Sequence, residues 1–505
     1  MRLMFLLPVL VTPLASAESS WPQAAGPRGT FVTEGKAPAA FSVVTGKGVR
    51  WRSPLPNTGQ GAPVVVGGRV FVTSHEVIDR DAETGRDILG LCFDAGTGKE
   101  LWRRTIPGVR VTDLSSLFSD NTAASPVATA ERVLFTNVGG AMICFDHDGN
   151  EKWRRSWVPF GRHHARQHEP FLLDGQVIVL RTRHESLKPE HTTKAGAKPL
   201  GRARDYWTHL MAYDLETGER TWIAEAGTSV HATSLPGILP DGRSAILTAR
   251  GGGHQPPEEP YGLSLIDATD GTTIWELPLP GYWAMQNLGW DGRFTHAFVK
   301  GKHLTVDMSS GKVTRAVPLG EGVAVCSWRD GSPVREENRS LPGRPKRDLT
   351  NQSNCLVGSY HYFRTHGGFF IGRVHVGTGA VEYLEVPVQI VRKKGEEPEV
   401  RRERALPNDM KNADGFRATQ DKRNAGNGWG HVSAASPVAV GEHLYLPTMV
   451  GMVYVVNWNA EVLDERALVS ISDLGPAGET WSLSSLAFSG GRLYGRTLKE
   501  LICVG

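Results

Sequence analysis

Residues 91–108 read LCFDAGTGKELWRRTIPG, and the meaning of this stretch decides the fold. Taken alone, an apolar run followed by an acidic, glycine-rich turn and a tryptophan fits a phosphate loop, a metal loop or a hairpin. The stretch is not alone. MICFDHDGNEKW (142–153), LMAYDLETGERTW (210–222) and LSLIDATDGTTIW (263–275) repeat its pattern, and LTVDMSSGKVTR (304–315) and GRVHVGTGAVEY (372–383) repeat it more weakly. The tryptophans recur at intervals of roughly 50–70 residues, a period that belongs to repeat architectures. A repeated turn is a building element first.

Each copy stands in the same frame. Around the second copy, ASPVATA leads by a tight turn into ERVLFTNV, then AMICFDHDG, then NEKWRRSW. Alternating apolar residues between Gly, Asp and Asn turns are hairpin signals, so one unit reads as four antiparallel strands. Four-stranded units at this period predict propeller blades. First strands are expected near Gly61, Thr122, His168, His231, Ala284, Asn354, Ser433 and Leu483, which makes eight blades. The chain stops at LKELICVG, the third strand of the last unit, while GKGVRWRSPLP (46–56) supplies a fourth strand with Trp51 in the tryptophan slot. We therefore expect an all-β, eight-bladed propeller spanning 46–505, its last blade completed by the strand around Trp51, which leaves no open sheet edge between first and last blades.

Ahead of it, residues 1–17 read as a cleavable signal peptide: Arg2, an apolar run from Leu3 to Leu14, and Ala15-Ser16-Ala17 before Glu18. Residues 18–45 read as a lead-in segment. No stretch is long and apolar enough to predict a membrane helix. The expectation is an exported protein, periplasmic or extracellular and monomeric. A net charge of +3 on 505 residues implies no bulk affinity for nucleic acid.

Five cysteines in an oxidising compartment raise the question of disulfides. Cys92, Cys144 and Cys503 occupy one slot of the repeat in different units, too far apart to bridge, and read as small buried strand residues. Cys326 and Cys355 remain able to pair.

The pattern A-x-D-x-x-T-G-x-x-x-W is matched from the aspartate onward by Asp94 to Trp102 and by Asp214 to Trp222. In this the chain resembles the PQQ-like β-propeller superfamily of quinoprotein alcohol dehydrogenases. The segments WPQAAGPRGT (21–30) and VRWRSPLPNTGQGAPVVVGGRVFVTS (49–74) are similar to bacterial exported PQQ-like repeat proteins. The resemblance implies that Asp94, Thr97 and Gly98 form the turn between third and fourth strands, and that Trp51, Trp102, Trp153, Trp222 and Trp275 are structural wedges between blades. Quinoprotein dehydrogenases also carry an adjacent cysteine pair over the quinone and a calcium beside a catalytic aspartate. This chain has no Cys-Cys pair and no C-x-x-C-H haem site. No cofactor is expected, PQQ with calcium included.

Strand order separates two faces. Turns joining strands one to two and three to four are short, as in VGGR, LLDGQ and LPDGR. Those joining strands two to three, and blade to blade, hold the insertions 75–88, 107–121, 158–168, 184–207, 250–261, 328–350 and 389–430. Long loops on a rigid scaffold carry function. On that face the rim of the central channel is expected to present Asp120 and Asn121, His168 and Glu169, His231, Gln286 and Asn287, Asn351 and Asn354, and Trp429 and His431. These types suit a metal ion or an anionic ligand, though channel mouths are commonly polar. His163, His164 and His168, flanked by Arg162 and Arg166, suit zinc or copper, an anion, or simply a basic surface. TARGGGHQPP (248–257) lacks the Gly-Lys-Ser/Thr of a phosphate loop. The insertion 389–430 has mixed charge with a basic excess.

Three functions follow in order. The first is a non-catalytic exported scaffold that binds a protein or polysaccharide partner through the long-loop face. The outer-membrane-assembly propeller of the β-barrel insertion machinery is one such use of the fold, although that protein is a lipoprotein and no lipid-anchor cysteine follows Ala17 here. The others are a divergent quinoprotein or metal-dependent oxidoreductase, and a small-molecule sensor.

Overall fold

The repeated turn closes as its side chains dictate. Asp94 Oδ1 accepts from the Gly96 and Thr97 amides at 3.1 and 2.8 Å and from the Thr97 hydroxyl at 2.7 Å, while Gly98 takes φ +74°. Asp214, Thr217 and Gly218 repeat the set. A carboxylate that absorbs two or three donors fixes the hairpin without help from the core. In the computed structural model, residues 20–76, 84–113, 121–158, 168–182, 208–224, 234–250, 261–282, 284, 286–341, 353–365, 369–411 and 435–505 are described.

Eight antiparallel blades result, and the first has strands Val64–Val66, Arg69–His75, Ile88–Asp94 and Glu100–Ile106 from the centre outward. The eighth runs Ala487–Ser489, Arg492–Arg496 and Glu500–Val504, and is completed by Val49–Pro54 from the N-terminal side. Each innermost strand begins at or a few residues beyond the position read from the sequence. Innermost strands of blades 8, 1 and 2, and of blades 4 to 7, lie side by side.

The tryptophans sit between blades. Trp51, Trp102, Trp153 and Trp275 donate their indole N–H to Ala95, His147, Leu215 and Met308 carbonyls of the next blade, at 2.7–3.1 Å. Trp222 packs on Gly271. In blades that carry the tryptophan, the third strand sets one residue directly opposite it, and this is Cys92, Cys144 and Cys503 opposite Trp102, Trp153 and Trp51. The repeated cysteine is thus a small partner for a large ring. All five cysteines are free and buried, Cys326 and Cys355 among them.

Two regions depart from the repeat. The insertion 328–350 is in part strand: Val323–Arg329 and Ser332–Arg339 form a hairpin that pairs in parallel with Val381–Glu385 and widens blade 6 to six strands. Residues 389–401 likewise fold as a two-stranded arm, Gln389–Val391 against Glu399–Arg401.

The lead-in enters the ring itself. Trp21, wholly buried, exchanges backbone hydrogen bonds with Val65 of blade 1. Pro22 O accepts from Ala128 of blade 2, and Gln23 Oε1 from Leu172 of blade 3. Gly29 abuts Pro236 of blade 4, and Val32–Thr33 pairs in parallel with Val438–Val440 of blade 7. These contacts fall on innermost strands next to their turns into second strands. The segment therefore stops the channel from the short-turn face.

Candidate functional site

With one end of the channel filled, what remains lies between the plug and the long-loop rim. A cavity of about 10 Å³, room for a single water, is lined by Gln23, Ala25 and Gly29 of the plug and by Glu169, Phe171 and Ser234 of the blades. Glu169 Oε2 accepts from the Ser125 amide at 2.7 Å. This carboxyl is largely withdrawn from solvent, and burial raises its pKa to about 7 despite that hydrogen bond. The adjacent His168 turns the other way. Its Nε2 lies 3.2 Å from Ser234 Oγ, which lies 2.9 Å from Thr248 Oγ1, while Nδ1 meets no partner among the described residues. Burial lowers its pKa to about 4, so the ring is neutral near pH 7.

Across the channel, Asn287 Nδ2 donates to Asn354 O at 3.3 Å and to Ser436 Oγ at 2.6 Å, joining the rims of blades 5, 6 and 7. Gln286 is spent on its own blade, bonding both the carbonyl and the amide of Phe298. Asn121 is turned to the blade 1 loop, where its Nδ2 donates to Gly85 O and Arg86 O at 3.1 Å. The structure thus brings Asn287 to Asn354, sets His168 and Glu169 against opposite neighbours, and keeps Asn121 as a loop staple. Asp120, His231, Asn351, Trp429 and His431, with His163 and His164, lie outside the described residues.

Two features of the channel escape a reading of the sequence. Asn354 Oδ1 accepts from His361 Nε2 at 2.9 Å, which leaves His361 Nδ1 to accept from His303 Nε2 at 3.0 Å. His296 stacks on His303 with ring centres 5.0 Å apart. Burial holds His303 and His361 well below the usual histidine pKa. These three histidines come from separate strands with no motif between them. The second feature is the plug, whose only sequence signal is an isolated tryptophan with glycines at 26 and 29.

Among the described residues, no group of three or more His, Cys, Asp or Glu side chains is arranged to hold a metal. The cysteines stand singly, so the pair that covers the quinone in quinoprotein dehydrogenases has no counterpart. The residues present do not fit a quinone held in that manner.

A family model described as outer membrane protein assembly factor BamB matches residues 86–282. No match was found among curated proteins. Among solved structures, a europium-containing methanol dehydrogenase is similar over 92% of this chain and 87% of its own, at 13% identity and TM-score 0.51. Quinohemoprotein alcohol dehydrogenase from Comamonas testosteroni is similar over 97% of this chain and 81% of its own, at 13% identity and TM-score 0.51. Quinohemoprotein alcohol dehydrogenase ADHIIG from Pseudomonas putida HK5 is similar over 96% and 80%, at 12% identity and TM-score 0.51. At such identities the likeness is one of fold. With its eight blades, its Asp-x-x-Thr-Gly turns and its inter-blade tryptophans, the chain is an eight-bladed β-propeller that resembles the PQQ-like propellers in these repeats.

Proposed function

We propose that the protein is an exported, non-catalytic propeller that binds a protein or glycan partner through its long-loop face. The observation that carries this reading is the asymmetry of the ring. Among the described residues, one face has only tight turns and is stopped by residues 21–33, while strand order puts the blade-to-blade connections, with the arm at 389–401, on the other. Long loops on a rigid ring are where binding residues are placed. No helix among the described residues is long and apolar enough to cross a membrane.

An oxidoreductase at the channel rim is the second reading. Glu169, poised near neutrality beside His168, favours it, since perturbed pKa values gather at catalytic sites. The space beside Glu169 itself holds only a single water, so a substrate would have to meet this carboxyl from the rim.

Protein purified from its native host under mild conditions separates the two. The scaffold reading expects no quinone absorbance and only substoichiometric metal. One quinone or one metal ion per chain, with activity lost on its removal, would contradict it.

A further inference from the structure

Four arginines close, or nearly close, second strands at their long-loop ends: Arg181, Arg250, Arg364 and Arg496. All four are buried. Three of them reach acceptors. Arg181 Nη1 donates to the Tyr213 hydroxyl at 2.5 Å and its guanidinium lies 3.9 Å from the centre of the Trp157 ring. Arg250 Nη1 bonds Ser264 Oγ at 3.1 Å and the Glu276 carboxylate. Arg496 Nη1 bonds the carbonyls of Thr73 and Gly61, in the neighbouring blade, at 2.7 and 3.2 Å.

Arg364 is the exception. It is 1% exposed, and its Nε and Nη1 meet no acceptor among the described residues. Among the described residues no carboxylate is paired with it. It leans instead on Tyr454, whose ring centre lies 4.8 Å from the guanidinium and whose hydroxyl also interacts with it. The Tyr454 hydroxyl is itself committed to Pro387 O at 2.5 Å. One neutral tyrosine offsets less than the desolvation of a buried guanidinium, so this charge is under-compensated.

A second bare donor lies beside the hydroxyl end of that tyrosine. Tyr454 OH also approaches Val388 O at 3.4 Å, and the next residue is Gln389, wholly buried. Gln389 Oε1 accepts from the Leu406 amide at 2.8 Å, which fixes the orientation of the amide and leaves Nε2 without an acceptor. The junction of blades 6 and 7 thus buries a guanidinium and an amide N–H₂ around one tyrosine. A water can accept from either group but supplies no charge. An oxyanion does both.

We propose that Arg364 and Gln389 form a binding site for a small oxyanion, a carboxylate or a phosphate, between blades 6 and 7 under the 389–401 arm. The site is separate from the partner-binding reading and stands or falls independently of it. Its role is that of a ligand site built into the ring, whose occupant neutralises Arg364 and ties the arm to the blade.

The test is isothermal titration of the full chain with sodium succinate and with sodium phosphate, each against sodium chloride at matched ionic strength. Melting temperatures are measured in the same buffers. The wild type is expected to bind one of the two oxyanions in a one-to-one ratio and to melt higher in its presence. Arg364→Met is expected to lose at least tenfold in affinity, and Gln389→Leu several-fold. In chloride alone Arg364→Met is expected to melt no lower than the wild type, because it removes an uncompensated buried charge. Three outcomes would overturn the site: neither oxyanion binding above chloride, equal binding by Arg364→Met, or an Arg364→Met chain that misfolds or melts well below the wild type. The last would make Arg364 an inter-blade clamp like Arg496.

Discussion

Trp153 of blade 2 packs face-on against Gly218 of blade 3, so closely that a β-carbon on Gly218 would meet three ring atoms at 2.5–3.0 Å. The contact joins the tryptophan of one repeat to the turn glycine of the next, and Trp51 with Gly98, Trp102 with Gly149, Trp222 with Gly271 and Trp275 with Gly311 repeat it. Removing the ring should leave a cavity between blades, and Trp153→Ala is expected to destabilise the protein by about 3–5 kcal/mol. Gly218→Ala suffers twice, from φ +70° and from the clash. Gly242→Ala, at φ +88° with nothing within 4 Å, suffers only from its backbone and is expected to lose about 1–2 kcal/mol. Urea denaturation of the three variants checks this, and equal losses for the two alanines would refute the ring contact.

His168 and Glu169 should have opposing effects on the pH dependence of stability. The folded His168 titrates near 4 instead of 6.5, so the unfolded chain binds more protons between those values and stability falls as pH drops through them. The folded Glu169 titrates near 7 instead of 4.5, so the folded chain binds more protons there and stability falls as pH rises from 4.5 to 7. Between pH 4.5 and 6.5 the two slopes cancel. Glu169→Gln is expected to unmask the histidine, with stability rising from pH 4 to 6.5, and to stabilise the protein at pH 8 by up to about 3 kcal/mol. His168→Gln should do the reverse and lose stability from pH 4.5 to 7. Denaturation midpoints across this range provide the check, and parallel profiles for the two variants would refute it.

The plug should be part of the folded core. Trp21 is wholly buried, and its indole fills the space in which a β-carbon on Gly26 would fall, at 2.8 Å. Trp21→Ala is expected to cost about 3–5 kcal/mol, as for a blade tryptophan. A loss below about 1 kcal/mol would mean that the plug does not hold the ring.

Burial raises the pKa of Cys92, Cys144 and Cys355 to about 12 and that of Cys503 to about 11, and raises that of Cys326. Thiols so held are protonated and unreactive. The native protein is expected to give no titratable thiol, and the unfolded, unreduced protein all five. Three would mean that Cys326 and Cys355 are bridged.

The fold was legible because the signal repeats. Asp94, Thr97, Gly98 and Trp102 are four residues of fixed chemistry at fixed spacing, and one hairpin geometry satisfies them in every blade where they recur. The closing strand around Trp51 was readable for the same reason. Blade 6 was harder, because its extra hairpin holds Trp328, Asp330 and Gly331 without the repeat's spacing. The channel was less legible still. Strand order places Asn121 and Asn287 at equivalent positions, yet one amide staples a loop and the other spans three blades. Which way a rim side chain turns depends on its non-local neighbours, and a repeat period contains no record of them. Arg364 has the same cause: it differs from Arg496 only in what the next blade offers it.

The central claim, that the long-loop face is the working face, is tested most directly by photo-crosslinking in the native host. A photoreactive side chain is placed at Lys394, exposed on the arm of the long-loop face, or at Glu131 or Arg293, exposed in turns of the short-turn face. The account expects a discrete, reproducible adduct from Lys394 and none from Glu131 or Arg293. The same adduct from the short-turn positions, with Lys394 silent, would contradict it.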